Sequence, residues 1–134
     1  MIVADTNLIS YLVITSERTS DAQKVLEKDP LWAVPYLWRS EFCNVLSVYL
    51  RKQFLTLADA QINFEHAQQL ILGREYQVVP GRVLELAAAS SCTSYDCEFV
   101  ALAQDLRVKL VTGDKQILAQ FPETAVDLVT FPMS

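Results

Sequence analysis

The chain has 134 residues, 51% of them apolar and 20% charged, the profile of one globular domain that buries a real core. That composition excludes a disordered chain, a multidomain machine and a disulfide-dependent mini-protein. Eleven Lys and Arg against 16 Asp and Glu give a net charge of −5 with the single His66 neutral. A protein that holds phosphates normally carries a basic surplus, so the charge alone argues against nucleic acid.

In chain order, Met1–Ala4 reads as a short buried strand that stops at the polar run Asp5-Thr6-Asn7. Helical spacing follows at Leu8–Val13 and at Ser20–Lys28, with Ser20 as the N-cap and Asp29-Pro30 as the stop. Leu31–Val34 is a second strand, closed by Pro35. From Trp38 to Lys52 the apolar residues Trp38, Phe42, Val45, Leu46 and Tyr49 fall on one helical face. Thr56–Leu72 is another helix, capped by Thr56 and stopped by Gly73. Tyr76–Val79 is a third strand; Gly81–Ser91 and Ser94–Leu106 are helices. Lys109–Thr112 is a fourth strand, Gly113-Asp114 opens a short helix to Ala119, and Asp127–Phe131 is the last strand.

Short apolar strands alternating with helices predict an α/β domain, residues 1–134, with a mainly parallel sheet of four to five strands covered on both faces. Ligands of such sheets bind outside the carboxyl ends of the strands. Several chemistries have no anchor. Cys43, Cys92 and Cys97 form no CxxC, which fits a reduced cytoplasmic protein better than a disulfide framework or zinc site. Three glycines allow neither a P-loop nor a dinucleotide fingerprint. His66 lies among polar residues and reads as a solvated helix residue. The amino terminus lacks the basic and apolar regions of a signal peptide, and no apolar run approaches the ~18–20 residues of a membrane span. Trp32, Trp38, Tyr49 and Phe54 make the middle of the chain aromatic, mostly as core.

Four carboxylates break the pattern of solvated acidic faces. Asp5 follows an apolar strand directly and Asp114 follows Leu110-Val111-Thr112, Glu41 lies at the apolar edge of its helix, and Asp96 shares a stripe with Phe99, Val100 and Ala103. Each has an ordinary explanation: Asp5 and Asp114 as N-caps, Thr93 to Asp96 as a capping box, Glu41 reaching to solvent. As a set they gather at one sheet edge, where each close pair repels by roughly 4 kcal/mol at an effective dielectric near 20. Divalent cations are the usual compensation, and an all-oxygen set selects Mg²⁺ or Mn²⁺.

With Met1-Ile2-Val3-Ala4-Asp5-Thr6-Asn7, Glu41 in Arg39-Ser40-Glu41-Phe42, Ser94 to Ala103, and Leu110-Val111-Thr112-Gly113-Asp114, the whole chain resembles the PIN-domain ribonucleases, above all the VapC toxins of toxin–antitoxin pairs. The resemblance implies a metal-dependent endoribonuclease in which Asp5, Glu41, Asp96 and Asp114 hold one or two Mg²⁺ or Mn²⁺ ions, supported by Asn7 and Thr112. It further implies products with 5′-phosphate and 3′-hydroxyl ends, a homodimer, and an antitoxin partner for which part of the aromatic region serves as a groove. Arg39 and Lys115, next to the acidic residues, are the candidate phosphate contacts. One departure is that Lys115-Gln116-Ile117-Leu118 lacks the further acidic residue that many relatives carry, which bears on the second ion; Glu98, about 200° around its helix from Asp96, does not replace it. Alternatives are a catalytically silent PIN-like binding module and another phosphoryl-transfer α/β protein. The latter fits poorly, since Asn7 stands where a dehalogenase-like enzyme needs a second Asp.

Overall fold

The three-residue runs Ile2–Ala4 (β1) and Leu110–Thr112 (β4), buried at every position, lie side by side at the centre of the sheet. Side chains alternate between the faces of a strand, so complete burial means that both faces are covered. A computed structural model describes residues 1–134. With β2 (Trp32–Pro35), β3 (Glu75–Tyr76) and β5 (Ala125–Asp127) the strands form one parallel sheet in the order β3-β2-β1-β4-β5. The helices are α1 (Thr6–Val13), α2 (Thr19–Lys28), α3 (Trp38–Arg51), α4 (Leu57–Leu70), α5 (Pro80–Ala88), α6 (Ser94–Leu106) and α7 (Lys115–Gln120). α1, α2, α3 and α4 pack against one another, while α5 packs on α6, which crosses β1, β2 and β4. No helix is long and apolar enough to cross a membrane.

The order of strands decides where a crevice can open. Leaving β1, the chain moves outward to β2 and β3, then returns to β4 on the other side, so the reversal falls between β1 and β4. A crevice opens at such a switch point, at the carboxyl ends of the strands. Asp5 follows β1 and Gly113-Asp114 follow β4.

Packing accounts for the aromatic middle of the chain. Trp38, Phe42 and Phe64 stack between α3 and α4, with centroid distances of 5.1 to 6.0 Å. Trp32, Trp38 and Phe42 have no exposed surface, and truncating such a ring costs about 3–5 kcal/mol. Phe54 departs from the core expectation and is 68% exposed at the tip of the α3–α4 hairpin. The expected Thr56 cap forms as a full capping box with Asp59. Gly73 adopts φ +80°, the left-handed conformation that ends the turn after α4.

Several boundaries differ from the sequence reading. α1 begins at Thr6, two residues early, and α2 at Thr19, so Ser20 lies inside the helix and caps nothing. β2 includes Pro35, because the ladder to β3 uses the N–H groups of Val34 and Tyr36 and asks none of Pro35. β3 is Glu75–Tyr76 rather than Tyr76–Val79. The last strand is Ala125–Asp127, not Asp127–Phe131: Asp127 Oδ1 accepts from Val129 N–H at 2.7 Å, a local turn that ends pairing, and Phe131–Met133 is a 3₁₀ turn.

Candidate active site

Asp5 occupies the N-cap position of α1 without capping it. Its Oδ2 instead accepts a 2.6 Å hydrogen bond from Thr112 Oγ1, and the same hydroxyl oxygen accepts from Asp114 N–H at 3.0 Å. Thr112 is wholly buried at the end of β4, and this one side chain therefore ties the ends of the two central strands together. Asp114 does cap its helix: Oδ1 accepts from Gln116 N–H at 2.8 Å and Ile117 N–H at 3.0 Å. Neither bond uses its Oδ2.

Glu41, half-buried in the first turn of α3, accepts from Thr6 Oγ1 at 2.6 Å. Thr93 Oγ1 accepts from Asp96 N–H at 3.1 Å, fixing the first turn of α6 and the base of the Asp96 side chain. Asp5, Glu41, Asp96 and Asp114, with Asn7, line one cleft of about 360 Å³. Ser40, Asn44 and Tyr95 complete its polar and aromatic rim.

No Lys or Arg lines the cleft. Burial pushes the Asp5 carboxyl up to about 6, only partly opposed by the Thr112 and Thr6 hydrogen bonds, with Asp96 and Asp114 adding repulsion. Burial also raises Glu41, whose other acidic neighbours are Asp5, Asp96 and Glu98, and Asp96, which faces Asp114. Three carboxylates held above their ordinary range in one cleft form a site short of positive charge. No three Asp, Glu, His or Cys side chains are drawn together tightly enough to form a closed metal cage. The donor chemistry nonetheless suits a hard divalent ion: carboxylate oxygens, no nitrogen or sulfur, and unrelieved repulsion.

Arg39 and Lys115 lie outside the cleft lining. Arg39 makes a two-pronged ion pair with Glu75, Nε at 2.6 Å and Nη2 at 2.7 Å, and Trp38 Nε1 donates to the same carboxylate at 2.6 Å. Lys115 is exposed at the start of α7. His66 is exposed on α4 as read from its neighbours.

A PIN domain family model matches residues 2–124. The chain belongs to the PIN domain family. It is 27% identical over 124 residues to Ribonuclease VapC3 of Pyrobaculum aerophilum, spanning 90% of this chain and 95% of that one. The fold is similar to the crystal structure of PAE2754 from Pyrobaculum aerophilum, with a TM-score of 0.78 and 21% identity over 98% of this chain and 93% of that one. It is also similar to a toxin–antitoxin complex from Klebsiella pneumoniae, at a TM-score of 0.70 and 19% identity over 96% and 98% of the two chains.

Within this PIN domain, Thr6, Ser40, Asn44 and Tyr95 join the cleft although the sequence reading did not single them out. Asn44 stands three positions after Glu41 on α3, a spacing that puts both on one helix face and was open to reading. Thr6 gave no such signal, since its partner lies 35 residues away. Arg18 was also passed over: its guanidinium lies over Tyr11 at 4.8 Å, and a Cβ added at Gly113, next to Asp114, would lie 3.8 Å from its Nη2.

Proposed function

We propose that this chain is a metal-dependent endoribonuclease, the toxin of a toxin–antitoxin pair. The observation that carries the reading is the cleft itself, where four carboxylates from four separated stretches of chain meet with no cation among them. Asp5, Glu41, Asp96 and Asp114 would hold one or two Mg²⁺ or Mn²⁺ ions, with Asn7 beside them. When bound, such an ion supplies charge to the phosphodiester and acidifies a water molecule.

The protein's own groups do the positioning. The Thr112 hydroxyl, fixed as a donor to Asp5 by the Asp114 N–H it accepts from, holds the Asp5 carboxylate in one orientation as an acceptor-only group. Thr6 does the same for Glu41. The α7 N-terminus fixes one oxygen of Asp114 and leaves the other for the cleft. No histidine faces the cleft, so proton transfer there falls to water and carboxylates, with 5′-phosphate and 3′-hydroxyl products expected. Arg39 and Lys115 are proposed to meet phosphates on the approach, Arg39 after exchanging Glu75 for RNA.

The similarity to Ribonuclease VapC3 and to a toxin–antitoxin complex supports the nuclease and an antitoxin partner; a homodimer and a cytoplasmic site of action are part of the same proposal. Purified protein is expected to cut RNA with Mn²⁺ or Mg²⁺ and not in EDTA, and Asp96→Ala to abolish cutting with an unchanged circular dichroism spectrum. An Asp96→Ala protein that cuts like the parent would sink the assignment.

A further inference from the structure

A second concavity lies along the same sheet edge. Beyond the ends of β2 and β3 is a hollow of about 690 Å³ whose wall includes Tyr36, Tyr76, Leu84, Ser94 and Glu98. Tyr36 follows β2, Tyr76 ends β3, and Tyr36 N–H donates to the Tyr76 carbonyl at 3.1 Å. The hollow neighbours the carboxylate cleft at two points of the chain: Tyr36 lines the hollow and Leu37 the cleft, and Ser94 lines the hollow and Tyr95 the cleft. Glu98, half-buried on α6, makes no hydrogen bond or ion pair with any side chain.

No Lys or Arg lines the hollow or the cleft. A nucleic-acid strand lying across both gains little from ion pairing, so its bases must supply the affinity by stacking and by edge hydrogen bonds. An ionised carboxylate only accepts, and it favours a base with two adjacent donors. Guanine presents N1–H beside its N2 amino group. Adenine and cytosine place one donor beside an acceptor, and uracil places one donor between two acceptors. An apolar peptide in the same hollow would leave the Glu98 carboxylate desolvated and unpaired, which is costly.

We propose that this hollow is a nucleobase subsite, which takes an unpaired guanine of single-stranded RNA against Tyr36 and Tyr76, with Glu98 accepting from N1–H and N2–H while the adjoining phosphodiester enters the carboxylate cleft. The subsite rests on the ribonuclease reading for its cleavage consequence, but its base binding is measurable without cleavage.

The test uses the full chain with Mn²⁺ and uridine oligonucleotides that carry guanine, inosine or adenine at one position. Cleavage is expected at a fixed offset from guanine, with kcat/KM about tenfold lower for inosine, which lacks the N2 amino group, and lower again for adenine. Glu98→Gln is expected to erase the preference for guanine over inosine. Tyr36→Ala is expected to raise KM more than it lowers kcat, with Tyr36→Phe restoring it. Binding is read separately by NMR titration of GMP, IMP and AMP in EDTA, where GMP alone should shift the signals of Tyr36, Tyr76 and Glu98. Equal rates at all bases, a guanine preference that survives Glu98→Gln, or no GMP shift at these residues overturns the subsite. So does a change in oligomeric mass on Tyr36→Ala without any base preference, which makes the hollow a protein interface. If no oligonucleotide is cut, the ribonuclease reading fails, and the GMP titration still decides the subsite.

Discussion

Thr112 has no exposed surface, yet its hydroxyl reaches both central acidic residues. Thr112→Val keeps the shape and removes the donor to a buried carboxylate, a loss of about 1.5–3 kcal/mol for a hydrogen bond to a charged group. Urea unfolding at pH 7.5 in EDTA is expected to show that loss. Asp5 gives a pH signature of definite sign. Its carboxyl titrates near 6 in the fold against 3.8 ordinarily, so between those values the folded state holds more protons than the unfolded one. Stability is therefore highest below the lower value and falls as pH rises through the higher, by about 3 kcal/mol for this group. Glu41 and Asp96 shift in the same direction, whereas Glu75, lowered by its Arg39 hydrogen bonds, loses its contribution only as pH falls into the acidic range. In EDTA the Tm should drop from pH 5 to pH 7.5, and Asp5→Asn should flatten that drop. Added Mn²⁺ should raise the parent's Tm more at pH 7.5 than at pH 5. The acidic residues were legible only as a set: each has an ordinary explanation, as the Asp114 cap shows, but capping and solvation do not explain four carboxylates at one sheet edge. The hydroxyls that orient them were not, since Thr6 meets Glu41 across 35 residues and Thr112 meets Asp5 across 107.

Helix ends show where local chemistry decides and where it is overridden. Thr56 and Thr93 accept from the third residue of their helices, as threonines at that position do. α6 ends differently: Arg107 takes φ 57° at its C-cap, a left-handed conformation that costs an ordinary residue about 1–2 kcal/mol. Arg107→Gly relieves that strain and should raise stability by about 1 kcal/mol, read as a higher urea midpoint with unchanged m-value. The left-handed turn at Arg107 was hidden in the sequence because no glycine marks it. The last strand was misplaced for a related reason. Leu128-Val129 looks like strand material, but Asp127 closes a turn onto Val129 N–H, and a side-chain-to-backbone bond of that kind outweighs apolar pattern.

The charge of the whole molecule changes meaning once the cleft is set apart. Removing its four acids leaves twelve acidic against eleven basic residues, a net of −1. Those basic residues are dispersed, and Arg39, Arg82, Lys28 and Lys109 already hold partners within the chain. A protein that neutralises few phosphates releases few counterions, so RNA cleavage should depend weakly on salt. A plot of log kcat/KM against log salt with a slope between 0 and about −2 is expected; a slope near −6 would require a basic track that this surface lacks.

Strands, helices and acidic positions could be read from the chain because periodicity, caps and turns act within a few residues of one another. The parallel α/β architecture followed from their alternation, and the crevice from the rule that a parallel sheet opens at its carboxyl edge. The absence of any Lys or Arg from the cleft wall, which hydroxyl orients which carboxylate, and the presence of a tyrosine-walled hollow beside it depend on residues brought together from distant stretches. Arg39 illustrates the difference: by position it neighbours Glu41, but folding β3 beside β2 brings Glu75 to it. That pairing is a property of the packed sheet, and no local pattern encodes it.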